Sequence, residues 1–207
     1  MNFLAHLYLS GNNEGVLIGN FIGDYVKGKE YLYYPEEIRQ GIILHRYIDN
    51  FTDKHPIAKK SCKRLSSKYN KYSGIIVDIF YDYILASEWN LHHKSPLEVY
   101  VEEVYTILKK HYFTLPPGIK TWFPTFLRHN WLVTYAKIEG IETVLQRMSS
   151  RTSLPEHTEF AIKVLKEQED EIRKEFNDFF LLIKEYIIKE HGIIPGEPLT
   201  SRPENPE

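Results

Sequence analysis

The chain has 207 residues, a formal net charge of -2 and 43% hydrophobic residues, which is typical of one soluble globular domain and excludes wholesale disorder. Its one cysteine, Cys62, excludes an intrachain disulfide framework and a cysteine-rich zinc site, and the near-zero charge disfavours a nucleic-acid binder. No apolar run approaches the ~20 residues of a membrane-spanning helix, and the N-terminal residues lack the features of a signal peptide, so we expect a cytoplasmic protein with neither membrane nor nucleic-acid partners.

Apolar residues recur mostly at helical spacing, and no hairpin dipeptide separates β-branched runs. In chain order the pattern predicts a short helix or extended segment over 1–10 and helices over 15–26, 35–52, 56–68, 73–91, 96–112, two short helices within 119–135 divided at Pro124, one over 138–148 and a long one from 154–156 to His191. Asp53 is the expected cap of the helix that starts at Pro56. The predicted fold is therefore an all-α, single compact multi-helix domain over 1–191, followed by a flexible proline-rich tail over 192–207.

Four pairs of polar residues lie four positions apart in otherwise apolar N-terminal segments, a spacing that places both members on one helix face. The pairs are Asn2 with His6, Asn20 with Asp24, His45 with Asp49, and Asp78 with Asp82. Because burying unpaired carboxylates side by side is costly, a positive group is expected opposite Asp78 and Asp82: Arg46, Lys27, a histidine or a divalent metal. One such pair is usually a structural hydrogen bond or salt bridge, whereas four favour a site with His, Asp and Asn ligands suited to Mn, Mg or Fe.

Two further segments carry polar residues that have both structural and functional interpretations. In DNFTDKHP, residues 49–56, Asp53 and His55 are explained by a helix cap around Pro56, or they assist a neighbouring site. The segment 59–72 contains six basic residues and no acidic one, namely Lys59, Lys60, Lys63, Arg64, Lys68 and Lys71. This basic stripe is either a solvated helix face or a surface that attracts an acidic protein or a phosphate group. Arg147 and Arg151 form a second, smaller basic spot.

Motifs of covalent or nucleotide chemistry are absent from the sequence. There is no Walker-type glycine loop, no GxSxG elbow and no GxGxxG, and Cys62 has no catalytic neighbours. A metal-activated water is the simple remaining route to hydrolysis.

Six segments together resemble one known family. MNFLAHLYLS, GNFIGDYVKG, GIILHRYIDNFTDKHP, IIVDIFYDYILASEW, WLVTY and LQRMSSR occur in order between residue 1 and about residue 151, and they resemble the acyl carrier protein phosphodiesterases, also called ACP hydrolyases. The resemblance implies a helical fold distantly related to the HD-type metal-dependent phosphohydrolases. It also implies hydrolysis of the phosphodiester that joins 4'-phosphopantetheine to a serine of holo-acyl carrier protein (ACP), a small acidic protein, with a divalent metal that is typically manganese.

The resemblance also implies roles for individual residues. The candidate metal ligands are Asp24, His45, Asp49, Asp78 and Asp82, and His6 falls in a matching motif as well. In this interpretation a metal-activated water attacks phosphorus, Arg46 offsets phosphoryl charge, and His6 or His55 protonates the serine leaving group. Asp53 completes the predicted catalytic set. The basic stripe would dock the acidic helix of ACP.

One position departs from the family pattern, which has Asp-His where this chain has Asp82-Tyr83. If that histidine is a ligand, the tyrosine predicts a weakened homologue that keeps only ACP binding. If that histidine instead supports the metal ligands without binding the metal, its replacement by tyrosine should affect activity only mildly. A third hypothesis is a phosphohydrolase of the same fold that acts on a small phosphodiester or nucleotide, although the basic stripe favours a protein substrate.

Overall fold

Helices make up all the regular secondary structure of residues 1–199, which are the residues that the computed structural model describes. The α-helices of this part of the chain are α1 (Phe3–Tyr8), α2 (Glu14–Ile22), α3 (Glu36–Lys54), α4 (Pro56–Lys63), α5 (Ser66–Tyr69), α6 (Ser73–Ser87), α7 (Trp89–His92), α8 (Leu97–Lys110), α9 (Pro117–Arg128), α10 (Trp131–Thr134), α11 (Ile138–Ser149), α12 (Thr158–Glu167) and α13 (Glu169–His191). Short 3-10 helices lie at Gly23–Tyr25, Glu30–Tyr33, Asn70–Tyr72 and Tyr112–Thr114. The predicted all-α fold class is confirmed.

The start of α4 corrects one local prediction. His55, not Asp53, caps this helix: its backbone is extended, and its Nδ1 atom accepts a hydrogen bond from the Ile57 N–H at 3.3 Å. Pro56 follows at the first helical position, where its missing N–H costs nothing. Asp53 instead lies exposed in the last turn of α3.

Two predicted helix boundaries were wrong. Pro124 does not divide its segment, because it lies exposed inside α9, and the break comes at Asn130, whose φ of 47° is left-handed. The long C-terminal helix starts at Thr158 rather than at 154–156, and it is interrupted at Gln168. The Gln168 side chain accepts a hydrogen bond from Arg64 Nε at 2.7 Å, so a tertiary contact accompanies the interruption.

Close contact between α2 and α3 positions the N-terminal half of the fold. A Cβ atom on Gly19 would lie 2.0 Å from the Ile38 carbonyl oxygen, and one on Gly41 would lie 2.1 Å from the Val16 carbonyl oxygen. Only glycine allows the two backbones to approach this closely. His45 follows Gly41 by about one turn of α3, so this packing sets the imidazole against the end of α2.

The apolar helix α6 lies in the core, and α1, α4, α11 and α13 pack against it. Residues 192–199 are not helical, and they lie against the helical body: the Gly196 N–H donates to the Tyr8 carbonyl oxygen at 3.2 Å, and Leu199 is buried. The remainder of the predicted tail, 200–207, lies outside the described residues, and the flexibility of the tail stays a prediction. No helix among residues 1–199 is both long enough and apolar enough to cross a membrane.

Candidate metal centre

Three of the residues singled out in the sequence converge at one point. His6 from α1 and His45 and Asp49 from α3 each offer one ligand atom, and these atoms all lie within 4.8 Å of one another. Each Nε2 atom is 3.1 Å from a different oxygen of Asp49, Oδ1 for His6 and Oδ2 for His45. The two imidazoles stack with ring centroids 4.1 Å apart. We refer to these three side chains as the His-His-Asp group.

Asn20 on α2 orients both imidazoles. Its side-chain NH2 donates to the His6 carbonyl oxygen at 2.7 Å and to Ser10 Oγ at 2.9 Å. Its Oδ1 atom therefore faces His6 Nδ1, 2.7 Å away, and accepts the Nδ1 proton. The Asn20 carbonyl oxygen likewise accepts the proton of His45 Nδ1, 2.8 Å away. In its neutral form, each imidazole thus presents the lone pair of Nε2 to Asp49.

This arrangement requires a cation. With both Nδ1 protons bound to Asn20, the two Nε2 lone pairs face carboxylate oxygens, and His6 Nε2 also lies 3.0 Å from the Met1 carbonyl oxygen. His45 Nε2 is buried, and although it lies near two carboxylates it makes no hydrogen bond of acceptable geometry with any group in the described part of the chain, residues 1–199. A proton or a metal ion would relieve the repulsion between these atoms. Two imidazole nitrogens and a carboxylate are a donor set that suits divalent transition metals.

The pKa values of His6 and His45 shift in opposite directions. Burial lowers the pKa of both, but the carboxylates of Asp24 and Asp49 outweigh burial at His45 and raise its pKa to about 9. At His6, burial and the positive charge of His45 lower the pKa to about 4. Burial raises the pKa of Asp49, yet the facing histidines hold it below its usual range. These shifts correspond to a protonated His45 beside a neutral His6, so the pair carries one positive charge rather than two.

Asp24 lies at the edge of the group. It follows Gly23 in the 3-10 helix after α2, its side chain is 70% exposed, and its Oδ1 atom is 3.4 Å from His45 Nε2. A Cβ atom on Gly23 would lie 2.2 Å from His45 Cγ, so glycine is needed for the imidazole to pack here. Asp24 is therefore adjacent to the group and open to solvent.

Asp78 and Asp82 on α6 have other partners. The Asp82 carboxylate is fully buried and accepts the N–H groups of Leu4 at 2.8 Å and Ala5 at 3.1 Å, so both of its oxygens cap the first turn of α1. Asp78 Oδ1 lies 2.9 Å from the Met1 α-amino group. The cation that lies against Asp78 is thus the Met1 ammonium, a partner that was not predicted from the sequence. The structure brings neither aspartate into the His-His-Asp group.

Arg46 and His55 also have structural contacts. The Arg46 guanidinium donates to the carbonyl oxygens of Val26 and Gly28, each at 3.0 Å, and stacks over Tyr31, so it fixes the segment between α2 and α3. His55 caps α4. Within residues 1–199, the side chains of Arg46, His55 and the exposed Asp53 make no hydrogen bond or ion pair with the His-His-Asp side chains, and their catalytic roles stay predictions.

Tyr83, the departure from the family pattern, faces away from this group. It is buried, and its hydroxyl donates to Glu169 Oε1 on α13 at 2.9 Å. Tyr83 follows Asp82, whose carboxylate points to α1, so the two side chains leave α6 in different directions. The tyrosine therefore replaces no member of the His-His-Asp group.

The basic stripe is divided between structural and exposed residues. Arg64 makes two hydrogen bonds with Glu175, at 2.6 and 2.8 Å, and Lys60 lies 3.0 Å from the same carboxylate. The Arg64 side chain is only 14% exposed, so it holds α4 to α13 and is not available for docking. Within residues 1–199, the exposed members of the stripe that make no such ion pair are Lys59, Lys63, Lys68 and Lys71.

The role of Asn20 was not predicted from the sequence, in which its spacing pairs it only with Asp24. The contacts of Asn20 run instead to α1 and α3, and they depend on the close approach of α2 and α3. The available signal was an amide in an apolar helix, which needs buried partners. Spacing along the chain does not identify those partners.

The fold and the site define a helical protein with a His-His-Asp group that could hold a metal ion. A family model described as acyl carrier protein phosphodiesterase matches residues 1–183, and the chain belongs to this family. Similar proteins named acyl carrier protein phosphodiesterase include those of Yersinia pestis, 33% identical, and Pectobacterium atrosepticum, 32% identical, each over 73% of this chain and 79% of the relative. The protein of that name from Photorhabdus laumondii is 31% identical over 73% of this chain and 77% of its own length. No solved structure matches.

Proposed function

We propose that this protein hydrolyses the phosphodiester between 4'-phosphopantetheine and the serine of holo-ACP and releases apo-ACP. Its relatives carry the name of that activity. The observation that carries the proposal is the His-His-Asp group, in which both Nε2 atoms lie 3.1 Å from Asp49. Such a donor set suits the divalent metal on which phosphodiester hydrolysis without a covalent nucleophile depends.

His6, His45 and Asp49 would hold the divalent cation, for which manganese is our proposal. When bound, it would supply Lewis-acid chemistry at the phosphoryl group and lower the pKa of a water molecule. Asn20 holds both imidazoles in the tautomer that leaves Nε2 free, by contacts of 2.7 and 2.8 Å. Asp24 is exposed at the edge of the group, so its carboxylate can accept a hydrogen bond from the attacking water and orient it.

Holo-ACP reaches this site as an acidic protein. The exposed lysines of the basic stripe, Lys59, Lys63, Lys68 and Lys71, supply a positive field that would speed its association and orient it. Arg64 is excluded from this role because it pairs with Glu175. A charge-reversed Lys63→Glu, Lys68→Glu variant should raise the Michaelis constant for ACP and reduce its dependence on salt, whereas Glu167→Gln, on the exposed face of α12, should not.

The experiment that tests the function compares substrates of two kinds. The purified protein with manganese is given holo-ACP, and in parallel a small chromogenic phosphodiester. Conversion of holo-ACP to apo-ACP, with little turnover of the small ester, is the expected result because the small ester lacks the docking charges. Rapid cleavage of the small ester with no conversion of holo-ACP would replace the proposal with a phosphohydrolase of small substrates. ACP binding without cleavage of either substrate would indicate a non-catalytic homologue.

A further inference from the structure

A cavity of about 590 Å³ opens beside the His-His-Asp group. Asp24, whose Oδ1 atom is 3.4 Å from His45 Nε2, lines it, and so does Asn2. Asn2 follows Met1, whose carbonyl oxygen lies 3.0 Å from His6 Nε2. The cavity thus lies next to the His-His-Asp group through Asp24 and Asn2, although no member of the group lines it. Its volume is within the range of about 300–1,000 Å³ that small-molecule sites occupy.

One wall of the cavity is aromatic. Phe3, Trp122 and Trp131 line it, with ring centroids 5.5 Å apart for Phe3 and Trp122 and 6.0 Å apart for the two indoles, which are parallel. Phe126 is fully buried behind all three rings, at centroid distances of 5.4 to 5.9 Å, and fixes the wall in place. The indole N–H of Trp131 is buried without a hydrogen-bond partner among residues 1–199. The wall therefore offers a rigid, largely apolar surface.

The cavity also carries positive charge on its lining. Lys27, Arg147 and Arg151 line the cavity, and Asp24 is its one carboxylate among the described residues. Neither arginine forms a salt bridge within residues 1–199, and the Arg147 guanidinium lies 5.9 Å from the Trp131 ring. A cavity with positive charge and an aromatic wall favours a ligand that joins an anionic group to an uncharged, partly apolar chain.

We propose that this cavity binds the 4'-phosphopantetheine arm of holo-ACP, an inference that rests on the proposed function. The arm has the required chemistry: an anionic phosphate, a dimethyl-substituted carbon next to it, and two uncharged amides beyond. With the phosphate at the His-His-Asp group, the dimethyl carbon and the amides follow the aromatic wall. Arg147 and Arg151 favour entry of the anion.

Binding of the arm can be measured without ACP. Titrating the protein with free 4'-phosphopantetheine should give a saturable change in tryptophan fluorescence, because Trp122 and Trp131 line the cavity. Inorganic phosphate lacks the arm, so it should give no such change. Absence of a saturable change with 4'-phosphopantetheine, or an equal change with phosphate, would overturn the proposal.

Charge reversal then locates the binding site. The double variant Arg147→Glu, Arg151→Glu should raise both the Kd for 4'-phosphopantetheine and the Michaelis constant for holo-ACP by about tenfold, as expected for the loss of charge-assisted contacts. Arg128→Glu is the matched control, because Arg128 is exposed on α9 and does not line the cavity. Unchanged melting temperature and manganese binding show that the double variant is folded. An unchanged Kd in the folded double variant would overturn the proposal.

The two proposals fail separately. If the protein converts holo-ACP to apo-ACP but does not bind free 4'-phosphopantetheine, the assignment of the cavity is overturned and the proposed function stands. If it binds 4'-phosphopantetheine and never converts holo-ACP, the proposed function fails and the assignment of the cavity stands. Free 4'-phosphopantetheine carries no protein, so a change in its Kd can only reflect contacts with the arm. The Kd therefore shows whether Arg147 and Arg151 contact the arm or the surface of ACP.

Discussion

The imidazole rings of His6 and His45 stack at 4.1 Å, although 39 positions separate them in the sequence, and each places its Nε2 atom 3.1 Å from Asp49. Stacking two imidazoles over one carboxylate is unfavourable if both are protonated, since like charges would lie a few ångströms apart. The pair therefore fits a site whose positive charge is a single shared cation. The metal-binding predictions follow from this relationship.

Replacing the shared carboxylate tests the metal site. Asp49→Asn removes the negative charge that both Nε2 atoms face. Losing a residue that only hydrogen-bonds to a metal ligand lowers metal affinity ~10–100-fold, so the affinity of Asp49→Asn for manganese should fall by more than that. Activity on holo-ACP should be lost, while the circular dichroism spectrum stays unchanged. Isothermal titration with manganese measures the affinity. Asp170→Asn, an exposed aspartate at the start of α13, is the control, and retention of wild-type affinity by Asp49→Asn would contradict the site.

Asn20 should act as a positioning residue. Asn20→Ala removes the acceptor that fixes the His6 tautomer and leaves the backbone acceptor of His45 in place, so manganese affinity should fall by about 10–100-fold. Ser10→Ala is the matched control, since Ser10 bonds the Asn20 side chain and the His6 carbonyl but neither imidazole. If the two variants lose stability equally and neither loses metal affinity, Asn20 has only a structural role. Denaturant titration alongside metal titration separates the two outcomes.

Restoring the histidine of the family pattern should give no gain. Tyr83→His introduces an imidazole that faces Glu169 rather than the His-His-Asp group, so manganese affinity and kcat should remain at the wild-type level. Stability should fall by about 1 kcal/mol with the lost hydrogen bond, and Tyr83→Phe, which removes only the hydroxyl, should match that loss. A clear rise in metal affinity or kcat in Tyr83→His would show that this position supplies a ligand.

The Arg64–Glu175 pair should carry much of the contact between α4 and α13. Glu175→Gln leaves a half-buried guanidinium without its carboxylate, and breaking such a pair costs about 3 kcal/mol or more. Urea denaturation at neutral pH measures this loss. Glu167→Gln, whose partner Lys163 is exposed, should cost under about 1 kcal/mol. Equal losses in the two variants would contradict a special role for the buried pair.

The same pair predicts a pH dependence. Burial raises the pKa of Glu175, but the hydrogen bonds from Arg64, Ser61 and Lys60 lower it by more than burial raises it. The pKa of Glu175 in the folded protein is therefore below the ordinary value of 4.5. Its stabilising effect is therefore full above pH 4.5 and is lost as the pH falls through the folded pKa. The difference in unfolding free energy between wild type and Glu175→Gln should shrink below that pH. A difference that grows on acidification would contradict the assignment.

Helical periodicity predicted the contact between His45 and Asp49, because residues four apart share a face whatever surrounds the helix. The same periodicity placed Asp78 and Asp82 together but could not distinguish a metal from the Met1 ammonium and the first turn of α1 as their partner. Pairing of Arg64 with Glu175, 111 residues away, likewise depends on tertiary packing. Spacing identifies side chains that share a helix face, whereas the partner across the interface is set by how helices approach one another.

The dependence of ACP cleavage on a metal held by the His-His-Asp group is tested most directly by mass spectrometry of ACP. Holo-ACP is incubated with protein that has been stripped of metal by a chelator and dialysed, and then with the same protein after addition of manganese. The expected result is unchanged holo-ACP in the first sample and apo-ACP in the second, with no recovery in the Asp49→Asn variant. Full conversion by the stripped protein in excess chelator, or normal recovery in Asp49→Asn, would contradict it.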